Sequence, residues 1–171
     1  NTILPWTEKY RPSNLSEVIL SQDLYNYFSN CIKHKMIPHL ILHGPPGTGK
    51  TSVIRAIGRE LFKEFYSERL IEFNASDEIG IAAVRGRITK EAKLSINYKA
   101  NPDTIPPFKI IVLDEADSMT DEAQDALRII IEEYSLVTRF IFICNYPNKI
   151  TPAIKSRCSI HDFKKLSDEN M

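Results

Sequence analysis

Apolar residues recur along this chain at two spacings, one helical and one strand-like. From Ser21, the positions Leu24, Tyr25, Phe28, Cys31 and Ile32 fall at helical spacing, which predicts a helix to about Lys35. His39-Leu40-Ile41-Leu42-His43 is a short apolar run ended by Gly44-Pro45-Pro46-Gly47, and it reads as a buried strand. A second helix begins near Gly49 and buries Val53, Ile54, Ile57 and Leu61. Leu70 to Phe73 is the next strand. After it Asn74, Ser76 or Asp77 offers an N-cap to a helix carrying Val84, Ile88 and Ala92. Residues 97–107, with Asn101, Pro102, Pro106 and Pro107, form a loop. Lys109 to Leu113 is apolar after its lysine, as in a strand buried on both faces. A helix from about Asp121 to Tyr134 and a strand Arg139–Cys144 follow. A short helix near Pro152–Ser156 and a strand around Cys158–Asp162 complete the pattern. There is no internal repeat, and residues 1–20 are polar and punctuated by proline.

Strands alternating with helices define an α/β fold, with a five-stranded parallel sheet flanked by helices on both faces. The 171 residues suffice for one such domain, and the pattern leaves no room for a second. Lys plus Arg number 22 and Asp plus Glu number 22, so a nucleic-acid partner would need a local basic patch. Cys31, Cys144 and Cys158 are far apart and match no zinc or disulfide spacing, which suits reduced thiols in an intracellular protein. No apolar run approaches the roughly 20 residues of a membrane span. No secretory signal pattern opens the chain, so the expectation is a soluble protein with no membrane partner.

The chemistry concentrates at Gly44-Pro45-Pro46-Gly47-Thr48-Gly49-Lys50-Thr51, a full match to G-x-x-x-x-G-K-[ST] placed between a strand and a helix. Glycines let the backbone curl so that its N–H groups face phosphate oxygens, aided by the helix N-terminus. Lys50 offers positive charge to the β- and γ-phosphates, and Thr51 offers a hydroxyl to Mg²⁺. Ile110-Ile111-Val112-Leu113-Asp114-Glu115 delivers two carboxylates at the C-terminal edge of a strand, where open α/β sheets bind ligands. Alone, that pair is common on surfaces. With the phosphate loop, Asp114 reads as a Mg²⁺ partner and Glu115 as the base for the attacking water. Asp114-Glu115-Ala116-Asp117 also spells a helicase signature, but no Ser-Ala-Thr element follows. Asn145 closes the strand 139–144 at the same edge. Its amide either reaches the γ-phosphate or attacking water, or simply ends a strand before a proline turn.

Trp6-Thr7-Glu8-Lys9-Tyr10-Arg11-Pro12, the phosphate loop, Asn74-Ala75-Ser76-Asp77-Glu78, Asp114-Glu115-Ala116-Asp117-Ser118-Met119-Thr120 and Ser156-Arg157-Cys158 occur in one order. In that order they resemble the small subunits of replication factor C, the eukaryotic and archaeal clamp loader. The resemblance implies a AAA+ P-loop NTPase core over residues 21–165, binding ATP and Mg²⁺, within a hetero-pentameric ring. It implies that residues 1–20 help form the adenine pocket through Tyr10, Arg11 and Val18. It also implies that Asn145 senses the γ-phosphate and that Arg157 acts as an arginine finger on a neighbour's ATP. The implied partners are the other ring subunits, a sliding clamp, and primer–template DNA. Arg85 and Lys149 would face DNA and bind its phosphates without reading bases. The implied location is the nucleus, or the cytoplasm for an archaeal or viral source.

Three departures from the family pattern qualify these expectations. Ile79 and Ile129 stand where arginines are usual, which lowers the positive charge offered to DNA. The helical lid and the collar are not expected within these 171 residues, with residues 166–171 reading as the start of a linker to the lid. The isolated chain is therefore expected to bind nucleotide weakly and hydrolyse it very slowly. Two other readings stand beside the clamp loader: a AAA+ ATPase with another DNA-remodelling role, such as branch migration, and an ATP-binding scaffold that does not hydrolyse.

Overall fold

The computed structural model describes residues 20–76, 84–93, 101 and 103–164. Ser21 caps helix α1 (Gln22–His34), its hydroxyl accepting from the Leu24 N–H at 3.3 Å. Lys35 ends the helix in the left-handed region, at φ 53°. Strand β1 (Leu40–His43) then leads through the glycine-rich loop into helix α2 (Lys50–Phe62), whose inward face carries Val53, Ile54, Ile57 and Leu61 as expected. The apolar pattern gave no warning of the next two elements. A single 3-10 turn (Lys63–Phe65) and a one-turn helix α3 (Tyr66–Arg69) reverse the chain into strand β2 (Leu70–Asn74).

After β2 the Asn74 side-chain oxygen accepts from the N–H (3.0 Å) and the hydroxyl (2.6 Å) of Ser76, folding a local turn. Asp77 and Ile79 lie outside the described residues. The helix expected through Val84, Ile88 and Ala92 is present, but it opens with a wide π-type turn (Val84–Ile88) before α4 (Thr89–Lys93). Strand β3 (Lys109–Asp114) is followed by a 3-10 turn (Ala116–Ser118) and helix α5 (Asp121–Tyr134). Thr120 caps α5 through the Ala123 N–H at 3.1 Å. Asp121 and Glu122 in its first turn complement the helix dipole. Strand β4 (Thr138–Cys144), a 3-10 turn (Pro147–Lys149), helix α6 (Pro152–Lys155) and strand β5 (Ser159–Asp162) follow.

The strands lie in the order β2-β3-β4-β1-β5, and every pair is parallel. Alternate residues of the central strands feed two separate apolar layers. Leu40, Leu42, Ile110, Val112, Ile141 and Ile143 pack toward α1 and α2. Ile41, Ile111, Leu113, Phe140 and Phe142 pack toward α4 and α5, so both faces are covered. Full burial of each of these side chains contributes about 1.5–3 kcal/mol. The order has a functional result, because β4 is inserted between β1 and β3. Whatever follows β4 therefore sits between the residues that follow β1 and those that follow β3.

Candidate nucleotide-binding site

The C-terminal ends of β1, β3 and β4 enclose a cleft of about 440 Å³. Its first wall is the loop after β1, where Gly44, Gly47 and Gly49 have φ of 150°, 78° and 89°, values that favour glycine. Gly44 admits no side chain for a second reason: a Cβ there would meet the carbonyl of Phe163. The Thr48 hydroxyl donates to the Pro45 carbonyl at 2.8 Å and tightens the loop. Lys50 opens α2 and is only 7% exposed. Its ammonium donates to the carbonyls of Gly44 (2.6 Å) and Pro45 (2.9 Å). Burial lowers the Lys50 pKa, opposed by Cys144, Asp114 and Asp117. Cys144 is itself pushed up to about 11 by burial and Asp117, so near neutral pH it is an uncharged thiol. The two carboxylates are what attract the ammonium.

The opposite wall follows β3. Asp114, Glu115 and Asp117 all line the cleft. Asp114 Oδ1 accepts from the Glu115 N–H at 2.8 Å. Glu115 adopts the left-handed conformation (φ 53°, ψ 41°), a conformation a non-glycine residue holds at a cost repaid by its surroundings. Here its carbonyl accepts from the N–H (3.0 Å) and the hydroxyl (2.7 Å) of Ser118. Asn145 enters between the two walls at the end of β4 and lines the same cleft as Lys50, Thr51 and Asp114.

Other expected site residues are dispersed. Arg157 follows α6 and does not line the cleft. Its guanidinium donates to the Ala153 carbonyl at 2.6 Å and pairs with Glu132 on α5. Glu132 also faces Arg128 at 3.5 Å. Lys149 is exposed, its ammonium 5.6 Å from the centre of the Tyr146 ring. Arg85 belongs to the wide turn before α4. Tyr10, Arg11 and Val18 lie outside the described residues.

Two polar side chains were not anticipated, Asp117 in the cleft lining and Gln124 outside it. Asp117 Oδ2 accepts from the backbone N–H groups of Asn145 (3.2 Å) and Tyr146 (3.1 Å). Gln124 on α5 is fully buried. It donates to the carbonyls of Met119 (3.3 Å) and Lys149 (2.9 Å) and accepts from the Thr151 N–H at 2.7 Å. A third acid just past Asp114 was a usable signal for the first. A lone glutamine on an otherwise apolar helix face was one for the second.

The residues fit a nucleotide triphosphate with Mg²⁺. A buried cation and positive-φ glycines face phosphate-sized space, and a hydroxyl and carboxylates supply hard oxygen donors. Among the described residues no group of three His, Cys, Asp or Glu side chains is placed to hold a metal unaided. Mg²⁺ in nucleotide sites takes one or two protein oxygens together with substrate phosphates.

A glycine loop on a helix N-terminus, carboxylates at the end of β3 and a strand inserted between the two define a P-loop NTPase domain. The chain belongs to the ATPase family associated with various cellular activities, AAA, whose family model matches residues 40–166. It is 61% identical over 170 residues to a replication factor C small subunit of Acanthamoeba polyphaga mimivirus, covering 98% of this chain and 47% of the relative. It is 45% identical over 169 residues to replication factor C subunit 2 of Schizosaccharomyces pombe, covering 98% and 50%. The chain thus spans about half the length of the curated relatives it matches. Among solved structures, the Thermotoga maritima RuvB Holliday junction branch migration motor shares the fold, with a TM-score of 0.67 at 16% identity over 91% of this chain and 48% of that one. No helix among the described residues is long and apolar enough to cross a membrane.

Proposed function

We propose that the chain is the ATP-binding and hydrolysing core of a clamp-loader subunit, which opens a sliding clamp and places it on primer–template DNA. The observation that carries the reading is the convergence of Lys50, Asp114, Glu115 and Asn145 on one cleft, in a chain so similar to replication factor C subunits. The loop from Gly44 to Thr51 binds the phosphates through its N–H groups and Lys50. The Thr51 hydroxyl and the Asp114 carboxylate would hold Mg²⁺, which when bound neutralises charge on the phosphates. Glu115 takes a proton from water as its oxygen attacks the γ-phosphorus and the bond to the β-phosphate oxygen breaks, giving ADP and phosphate. Asn145 orients the γ-phosphate or the water.

Arg157 acts on the nucleotide of a neighbouring subunit. Its place outside the cleft of its own chain supports that role. An arginine supplied from another chain couples hydrolysis to assembly. Tyr10, Arg11 and Val18 serve the adenine pocket, while Arg85 and Lys149 contact DNA phosphates, and the working location is the nucleus, or the cytoplasm for an archaeal or viral source. With Ile129 exposed on α5 in place of an arginine, DNA contact by this subunit is weaker than usual in the family. The likeness to the branch migration motor is one of fold and does not favour that role.

The test is ATP-dependent loading of a sliding clamp onto primed DNA by the full-length subunit with its ring partners, alongside Arg157→Ala. The reading expects loading by the parent and an assembled but inactive ring from the variant. A parent ring that hydrolyses ATP yet loads no clamp leaves the phosphate chemistry standing and removes the replication role.

A further inference from the structure

We propose that Asp117 is a positioning residue for Asn145, fixing the end of β4 across the catalytic cleft. The inference rests on the reading of the cleft as an ATP site. On the β1 side the sheet ladder ends at His43 and Cys144, and on the β3 side it ends at Leu113 and Phe142. Asn145 and Tyr146 have therefore left the ladder, and Pro147 behind them has no N–H to anchor the turn. Their two N–H groups both point at one carboxylate oxygen, Asp117 Oδ2, at 3.2 and 3.1 Å. Asp117 thus takes over where the strand stops.

The turn that carries Asp117 is itself fixed to Glu115. Ser118 bonds twice to the Glu115 carbonyl, and the Met119 N–H bonds to the Ala116 carbonyl at 3.2 Å. One short segment therefore holds Glu115 directly and Asn145 through a carboxylate, which sets the separation between the base and the amide. The same contacts commit one carboxylate oxygen of Asp117, Oδ2, to the backbone of Asn145 and Tyr146. A charged acceptor is roughly twice as strong as a neutral one in such contacts, which accounts for an aspartate here in place of an asparagine.

The experiment measures steady-state ATP hydrolysis by the assembled, full-length ring for Asp117→Ala, Asp117→Asn, Asn145→Ala and the double alanine variant. ATP affinity and Mg²⁺ dependence are measured in parallel. Displacing a reacting group by about 1 Å costs up to about 100-fold in rate. Asp117→Ala is accordingly expected to lower kcat about tenfold or more, with KM for ATP and the Mg²⁺ requirement nearly unchanged. The double variant is expected to be no slower than Asn145→Ala, because the two changes remove one arrangement. Asp117→Asn, which keeps one acceptor oxygen, is expected to fall between the parent and Asp117→Ala. If Asp117→Ala does not assemble, Asp117→Asn carries the test, and a parental kcat from it overturns the proposal. So does a double variant slowed by the product of the single effects, or a tenfold rise in the Mg²⁺ requirement. A parental rate from Asn145→Ala is different: it removes the role of Asn145 in the ATP site, and with it the reason to position it.

Discussion

A Cβ added to Gly44 would lie 2.1 Å from the carbonyl oxygen of Phe163, so the start of the phosphate loop and the end of β5 are in backbone contact. The Phe163 N–H also donates to the His43 carbonyl at 2.7 Å, which holds the two segments together. Gly44→Ala meets both a clash with backbone and an unfavourable φ of 150°. The expected cost is about 3 kcal/mol or more, large for one methyl group. Urea unfolding of the parent and variant measures it. A loss below about 1 kcal/mol would mean that β5 shifts easily away from the loop.

Lys50→Ala and Glu115→Gln should separate binding from chemistry. The first removes the buried ammonium from the cleft, and ATP affinity in the full-length ring is expected to fall at least about tenfold. The second keeps the shape of the side chain but not its basicity. It should retain ATP while slowing hydrolysis by about 100-fold or more. Fluorescent-nucleotide titration together with phosphate release distinguishes the two, and an unchanged hydrolysis rate of the Glu115→Gln ring would assign hydrolysis to the other subunits and leave this chain a binding scaffold.

His39 predicts acid sensitivity of the fold. Its pKa is lowered to about 4, by burial first and by Arg139 second, and its Nδ1 accepts from the Phe140 N–H at 3.0 Å. The unfolded chain keeps a histidine pKa near 6.5 and so binds more protons in between. The stability contributed by the neutral ring is thus fully present above about pH 6.5 and is lost as pH falls toward 4. The loss is at most about 3 kcal/mol and is reduced by solvent screening at this half-buried site. His161, lowered by burial and by His43, acts in the same direction. Thermal unfolding between pH 4 and 7 should show this slope, and His39→Asn should flatten part of it.

Gln124→Leu tests the buried amide on α5. The substitution strands the Met119 and Lys149 carbonyls and the Thr151 N–H without their partner. The expected destabilisation is about 2–3 kcal/mol. Chemical denaturation reads it, and a neutral result would mean that water replaces all three bonds.

The elements built on strong periodicity were legible from the sequence. Helix α5 runs from Asp121 to Tyr134 as its pattern required, and the phosphate loop lies between a strand and a helix. The loop motif and the acidic strand end also located the cleft, because they mark the C-terminal ends of two strands of one parallel sheet, β1 and β3, on either side of β4. The turns of 63–69 were not legible, since they bury only part of their surface and carry no apolar period. The wide turn at Val84 was hidden by helical spacing that continues through it. The role of Asp117 escaped for another reason. Its partners are backbone N–H groups 28 and 29 residues away, and backbone donors leave no trace in side-chain identity.

The insertion of β4 between β1 and β3 also dictates when the site can come into being. Lys50, Asp114 and Asn145 belong to segments far apart in sequence, joined only once β4 has paired on both sides. Non-local pairings of this kind form late, after the cost of closing long loops has been met. A chain that has been synthesised only as far as α5 therefore has its phosphate loop and its acidic strand end, but with a missing plank between them. The cleft is thus a property of the finished sheet, and its two walls come into register only through the strand laid between them.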